Sequence, residues 1–331
     1  MNKKGHDLFR VIALVLVLSC SLSPADKTQP LATNKNKLLT IAIQGQVAPP
    51  QPSRGYTVTW DGKPKMAIGT GSINYNLKIG DRVFGWASGD RATMGVATEG
   101  IGEERFQGAW PVYASIGNEV KVMSGGAKGE KGIVIGKFGN FVLVHFEDSV
   151  LDELAIGDSL AVKACGIGLE IEGFKDVFVH GLAPEVLEKL VTKISDGKLE
   201  VPVVKEIPAE IVGQGAGGSS LTGNWHIQTC YPPDIKDYGL EELRFGDIVL
   251  LKDTETDYGK GYYRGGATVG VVCSGPSDVS GLGIAVTPIL SSKLGRFSVR
   301  MDLKANIGHF LGISFGQKKL PHSPSPIGRA L

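Results

Sequence analysis

The sequence predicts a mostly β protein, α+β at most, built from barrel-like antiparallel β modules with one clear helix near 184–195. Three observations lead there. Apolar, β-branched runs of four to eight residues recur along the chain, each broken at Gly, Asp or Pro. Glycine is abundant, 46 of 331 residues, and is spread out rather than clustered, as tight turns with positive φ require. One phrase also occurs three times: Leu77-Lys78-Ile79-Gly80-Asp81, Leu154-Ala155-Ile156-Gly157-Asp158 and Leu243-Arg244-Phe245-Gly246-Asp247. In each, the apolar residues pin a turn to a core, Gly takes the awkward dihedral, and Asp caps the turn before a strand.

Residues 1–20 read as a lipoprotein-type signal peptide. Lys3, Lys4 and Arg10 precede the apolar run Val11 to Leu18 and then Ser19-Cys20. That run is far short of the ~20 residues a spanning helix needs. Residues 21–37, rich in Ser, Pro, Asn, Lys and Thr, read as a flexible tether. An N-terminal β module or modules with the helix is expected over 38–205, and a C-terminal β module over 206–315. Residues 316–331 read as a disordered tail.

Within these spans, strands are expected at Leu38 to Ile43, Asp81 to Trp86, Gly132 to Gly136, Phe141 to Phe146, Ser159 to Ala164, Asp247 to Leu251 and Thr268 to Cys273. The third and fourth of these read as a hairpin over Gly132 to Phe146, with Gly136 to Asn140 as its loop. Pro184 suits a first helical position, and Val186, Leu187, Leu190, Val191 and Ile194 share one face before Gly197. Pro232 and Pro233 argue for a turn rather than a helix.

With 35 basic and 34 acidic residues the net charge is +1, and no basic block follows the signal, so no nucleic-acid partner is expected. Cys165, Cys230 and Cys273 lack metal-knot spacing; one disulfide plus one free thiol is compatible with export. No glycine loop ends in Gly-Lys-Ser/Thr, and neither Gly-x-Ser-x-Gly nor His-Glu-x-x-His is present.

Three segments are candidates for chemistry. Gly223 to Asp234 carries Asn224, His226 and Asp234; on a strand His226 and Cys230 stand about 13 Å apart, so His226 needs partners from elsewhere. Asp253 to Thr268 carries Asp257, Tyr258, Tyr262, Tyr263 and Arg264, residue types suited to a recognition surface. Trp86 to Thr93 carries Asp90 and Arg91, a polar pocket floor after a strand. The readings that need no ligand stand beside these: a structural histidine, a hairpin tip and an ion-paired turn. His145 and His180 read as core or edge histidines.

Val17-Leu18-Ser19-Cys20 resembles the lipobox of bacterial lipoproteins, which implies acylation of Cys20 and an exported, envelope-anchored protein touching the membrane only through its lipid. Ordinary cleavage nearby and an uncleaved anchor are the alternatives. The phrases Gly69-Thr70-Gly71-Ser72-Ile73-Asn74, Ile79 to Gly85, Gly126 to Gly132, His226 to Cys230 and Gly265 to Pro276 together resemble the bacterial and archaeal family called domain of unknown function 4438. The resemblance covers about Leu38 to Phe315 and implies a mostly β fold without an assigned activity. The rhythm of Gly223 to His226 and Asp234 to Leu251 is similar to part of the acetamidase/formamidase family.

These readings lead to an expected hydrolase-like, metal-assisted enzyme acting on a small polar or amide-like substrate. His226, Asp90 and Asp257 are the catalytic candidates. Arg264, Tyr262, Tyr263, Arg91 and Asn224 are the substrate-binding candidates, and His226 with Asp234 would hold a divalent metal that activates water. The alternative is a non-enzymatic small-ligand-binding or structural envelope lipoprotein. A homo-oligomer is expected, since exposed sheet edges tend to pair.

Overall fold

The computed structural model describes residues 31–51, 57–65, 69–87, 90–103, 107–213, 221–257 and 259–315. In chain order the strands are β1 (Ile41–Val47), β2 (Thr57–Val58), β3 (Pro64–Lys65), β4 (Val96–Gly100), β5 (Glu119–Val122), β6 (Lys131–Phe138), β7 (Phe141–His145), β8 (Ser159–Ala164) and β9 (Val177–Val179). They continue with β10 (Lys193–Ser195), β11 (Lys198–Val203), β12 (Lys205–Ile207), β13 (Val212–Gly213), β14 (Trp225–Gln228), β15 (Ile248–Glu255), β16 (Gly261–Val272), β17 (Gly283–Ser292) and β18 (Phe297–Met301).

The first half closes into an antiparallel barrel in the order β1-β4-β7-β6-β5-β8, with β8 returning to β1. The second half is an open sheet in the order β12-β15-β16-β17-β14-β13, to which β9 adds on β17. A small sheet, β10-β11-β18, completes the architecture. The halves interleave across residue 205, because β9 joins the later sheet and β11 pairs in parallel with β18. All ten residues of β17 are buried, as a strand covered on both faces requires.

The three repeated phrases adopt one turn. Gly80, Gly157 and Gly246 have φ of 87°, 87° and 88°. The following Asp accepts from the amide three residues before it: Asp81 from Lys78 at 2.9 Å, Asp158 from Ala155 at 2.8 Å, Asp247 from Arg244 at 2.8 Å. The first and third copies also pair with each other, through Gly80 N–H to Phe245 O (2.8 Å) and Phe245 N–H to Asp81 O (2.9 Å). The second and third copies lead into β8 and β15. The first does not: the strand expected at Asp81 to Trp86 is a bend whose only ladder contact is the Arg82–Arg244 bridge.

Other expectations change in detail. The hairpin forms, but β6 runs on to Phe138, so its turn is Gly139-Asn140. The helix is Pro184–Leu190, shorter than 184–195. Asp196 and Gly197, both at positive φ (51° and 70°), make a tight turn that draws Ile194 into β10 opposite Leu199. A short helix covers Pro232–Asp237 despite its two prolines, which occupy the first positions where no amide donor is needed. Residues 31–37, part of the expected tether, are held to the chain beyond the barrel: Asn34 bonds Gly168 O (2.8 Å) and Glu170 N (2.9 Å). Cys20, the signal and the tail from 316 lie outside the described residues. Cys165, Cys230 and Cys273 are all free thiols.

Trp110, 1% exposed, packs against the barrel, its ring so close to Gly45 that a Cβ there would lie 2.6 Å from it. Its indole N–H donates to Thr98 Oγ1 at 3.0 Å, which in turn donates to Val142 O at 2.8 Å. Trp110→Ala should therefore destabilise the fold by about 3–5 kcal/mol in a denaturant titration. A loss below about 1 kcal/mol would show that the ring does not support the barrel.

Candidate functional site

The chemistry-bearing residues gather where the end of the β6–β7 hairpin docks on the open sheet. The bulge between Val134 and Gly136 in the β6–β7 ladder redirects the end of β6 toward β17. There the Lys137 peptide groups are held from the sheet side. Lys137 N–H donates to Thr287 Oγ1 (3.1 Å), and Lys137 O accepts from Thr287 Oγ1 (2.8 Å), Asn224 Nδ2 (2.8 Å) and Cys273 Sγ (3.2 Å). Asn224 Oδ1 also accepts from Gly139 N–H at 2.8 Å. Asn224, expected to touch substrate, is instead a buried clamp between barrel and sheet.

The Lys137 side chain is buried, and its Nζ meets Leu221 O at 3.5 Å. Burial alone pulls the amine down from 10.5 to about 7. Beside it, Lys260 Nζ donates to the next carbonyl, Thr222 O, at 3.1 Å, and burial lowers this amine to about 8. His226, on β14, accepts at Nδ1 from Gly283 N–H (3.2 Å). Burial first, then the charges of Arg91 and Lys260, lower its pKa to about 4. The Arg91 guanidinium sits over the Phe138 ring, 5.2 Å from the centroid, on a backbone of φ 58° tied to Pro276 O at 2.9 Å.

His180 completes the group. Its Nε2 lies 2.7 Å from Ser291 Oγ, and Ser291 donates to Asp257 Oδ1 at 2.8 Å. Burial, then Lys260 and Lys137, lower the imidazole to about 3. Since Ser291 gives its proton to Asp257, the imidazole N–H donates to Ser291. That polarity orders a chain; it is the reverse of a nucleophile handing its proton to a base.

The sequence-derived candidates therefore separate. Arg91 and His226 come together, joined by Lys137, His180 and Lys260. Asp90 is buried but turned to another network, with Oδ2 at 3.3 Å from Ser277 Oγ and from Asp278 N, and at 3.4 Å from Lys65 Nζ. Asp257 faces Ser291 and Lys293 (3.5 Å) rather than His226. Asp234 stands in the first turn of the Pro232–Asp237 helix, half-buried. Tyr262, Tyr263 and Arg264 are exposed on the first half of β16, where Lys293 Nζ lies 5.8 Å from the Tyr263 ring centroid; Tyr258 lies outside the described residues. Among the described residues no three His, Cys, Asp or Glu side chains are placed to hold a metal ion. The carboxylates meant to join His226 point elsewhere, and the charges acting on it are cations, which oppose a divalent ion. A separate groove of about 490 Å³, lined by Leu38, Leu39, Ile41, Tyr113 and Cys165 among others, is apolar and holds none of these groups.

Lys137, His180 and Lys260 were not anticipated. The sequence alone reads Lys137 as part of the Gly136 to Asn140 loop and His180 as a core or edge histidine. The available signal was a lone Lys inside the apolar hairpin Ile133 to Val144.

The two histidines make stability acid-sensitive. Their folded pKa values, about 4 and about 3, lie below the unfolded 6.5, so below pH 6.5 the unfolded chain binds protons that the folded chain refuses. Stability is full above about pH 6.5 and falls as pH drops toward 4, by up to about 1.4 kcal/mol per histidine per pH unit. In denaturant titrations from pH 7 to 4.5, where Asp247, raised by burial to about 6, opposes the two histidines, His226→Gln should remove up to about 1.4 kcal/mol per pH unit from the acid-side loss; an unchanged slope would contradict the buried, neutral imidazole.

The family called domain of unknown function DUF4438 matches this chain in two parts, its N-terminal domain over residues 56–188 and its C-terminal domain over residues 189–311. The crystal structure of TM1086 is similar, with 36% sequence identity, a TM-score of 0.79, and coverage of 85% of this chain and 99% of that one. No curated protein matches. None of these likenesses is to the acetamidases or formamidases. With 56–311 accounted for by the two domain matches, and the fold of TM1086 shared across most of its length, the chain belongs to the DUF4438 family.

Proposed function

We propose that the barrel–sheet junction binds a small anionic molecule and that the protein works through that ligand. One observation carries this reading: Arg91, Lys137, His180, His226 and Lys260, from five separate segments, converge in a largely buried region, where burial lowers both lysines and burial together with the neighbouring cations lowers both histidines. A grouping of cations and donors in a low-dielectric region suits an anion seated among them, which is the pattern of a binding site. Of the nearby carboxylates, Asp90 is engaged by Lys65, and Asp257 by Lys293 and by Ser291, through which it reaches His180.

This favours ligand binding over the metal-assisted hydrolysis expected from the sequence, for which the described residues offer no ligand set. Phosphate or a small carboxylate at about 100 times its Kd should stabilise the protein by about 2.7 kcal/mol, raising Tm by roughly 5 °C. Chloride at equal ionic strength should not. The effect should weaken above about pH 7, where Lys137 loses its proton. Lys260→Met should reduce it, while Tyr262→Ala with Tyr263→Ala should leave it intact. A shift that any salt reproduces, or that the tyrosine pair abolishes, would reject this site.

We also propose that the protein is exported and lipid-anchored through Cys20. The basic start, the short apolar run Val11 to Leu18 and Ser19-Cys20 support this. No helix among the described residues is long and apolar enough to cross a membrane. In cell fractionation the native chain should sediment with membranes and Cys20→Ala should not. Equal membrane recovery of both would exclude acylation at that residue.

A further inference from the structure

We infer that the apolar groove at the end of the barrel, where β1 begins and β8 stops, binds a long-chain fatty acid, with the tail in the groove and the carboxylate at Lys37. This site is separate from the barrel–sheet junction and does not rest on the reading given for it.

The groove continues the barrel interior. Along β1, Ile43, Gly45 and Val47 are buried and alternate with the more exposed Ala42, Gln44 and Gln46; across the ladder, buried Val162 and Leu160 face Ile43 and Gly45. Ile41 and its partner Ala164 carry that inward row to the ends of both strands, where Ile41 is left 38% exposed. Tyr113 and Leu39, the latter 81% exposed, extend the apolar lining. The volume, about 490 Å³, falls within the roughly 300–1,000 Å³ of small-molecule sites, for which barrel mouths are a common place.

Its walls are fixed. Asn34 Nδ2 donates to Gly168 O at 2.8 Å, Asn34 Oδ1 accepts from Glu170 N–H at 2.9 Å, and Lys35 pairs with Glu188 at 2.6 Å. The segment that carries Lys37 and Leu39 is thereby pinned beside the Cys165–Gly168 loop. A preformed cleft costs its ligand little ordering.

Size and charge select the occupant. Eleven described residues line the groove, against the roughly 20–30 that each side of a stable protein interface supplies, so a second copy of the chain matches it poorly. The preceding residues Ser21 to Pro30 offer Leu22 as their one large apolar side chain. Among the described lining residues Lys37 is the one charged side chain, it is exposed, and none is acidic. One cation at the rim of an apolar slot complements one anionic head on one apolar tail, the chemistry of a fatty acid.

The test uses the full chain carrying Cys20→Ala, so that no acyl group of its own competes, purified without detergent. Octanoate, decanoate and dodecanoate are titrated against the fluorescent fatty acid cis-parinarate. One site is expected, with affinity rising about two- to fourfold per added methylene. Dodecyltrimethylammonium, with the same tail as dodecanoate and the opposite charge, should bind at least about tenfold more weakly at low salt. Lys37→Glu should reverse that preference. Leu39→Glu should weaken dodecanoate at least about tenfold, since it sets a carboxylate in the groove. Both residues are exposed, so Tm should not change and loss of fold does not confuse the result. Affinity independent of chain length, a charge preference unchanged in Lys37→Glu, or dodecanoate binding unchanged in Leu39→Glu would each overturn the inference. So would displacement of the probe by phosphatidylglycerol vesicles but not by dodecanoate, which would make a membrane lipid the occupant. Saturating phosphate should not displace the probe; displacement would put the carboxylate at the junction and overturn the assignment to Lys37. The phosphate effect on Tm is read separately, so either site can fail alone.

Discussion

Much of this molecule depends on how one residue, Lys137, is held between two sheets. The Thr287 hydroxyl accepts from its N–H and donates to its carbonyl, and Asn224 and Cys273 add donors to the same oxygen. Asn224 immediately precedes β14, Thr287 lies on β17 and Cys273 immediately follows β16, so the closing hairpin of the barrel is registered against the fully buried strand of the open sheet. With the backbone so fixed, the side chain has one direction available, inward. An amine stripped of water is expensive, and it persists because the surrounding hydrogen bonds over-determine its position.

That constraint also sorts the charges. Around Lys137 stand Arg91, His180, His226 and Lys260; burial lowers Lys260 and Lys137, and burial with cationic neighbours lowers both histidines. The nearby carboxylates are held a short way off by other lysines: Asp90 near Lys65, Asp257 near Lys293. A low-dielectric region of one sign beside neutralised pairs focuses potential inward, which suits an anionic guest and opposes a metal ion. Both imidazoles are neutral at physiological pH and serve as hydrogen-bonding groups there, His226 accepting from Gly283 and His180 joined to Ser291.

The sequence made the architecture legible because turn chemistry is local. The Gly-Asp phrase announces the same turn three times, and all three form it, although only two lead into sheet strands. Errors arose where two local signals competed. The apolar period through Ile194 spoke for helix, but Asp196-Gly197 imposed a hairpin turn. Pro232-Pro233 spoke against a helix and instead began one. The site was only half legible. Arg91 and His226 were singled out, but their neighbours are set by long-range register: β14 against β17, and β6 against Thr287 through a bulge. No short-range pattern marks Lys137 as inward-facing, since Gly136 and Gly139 around it read as loop. Tyr262, Tyr263 and Arg264 looked functional by residue type, yet lie on the outward half of β16.

The central claim is that Lys137 is a desolvated amine within a cationic site that awaits an anion. Its side-chain ¹³Cε resonance, followed by NMR across pH with and without saturating phosphate, tests this most directly. The account predicts a midpoint near 7 in the free protein, moving upward when phosphate binds. A midpoint at the ordinary lysine value near 10.5, unmoved by phosphate, would contradict it.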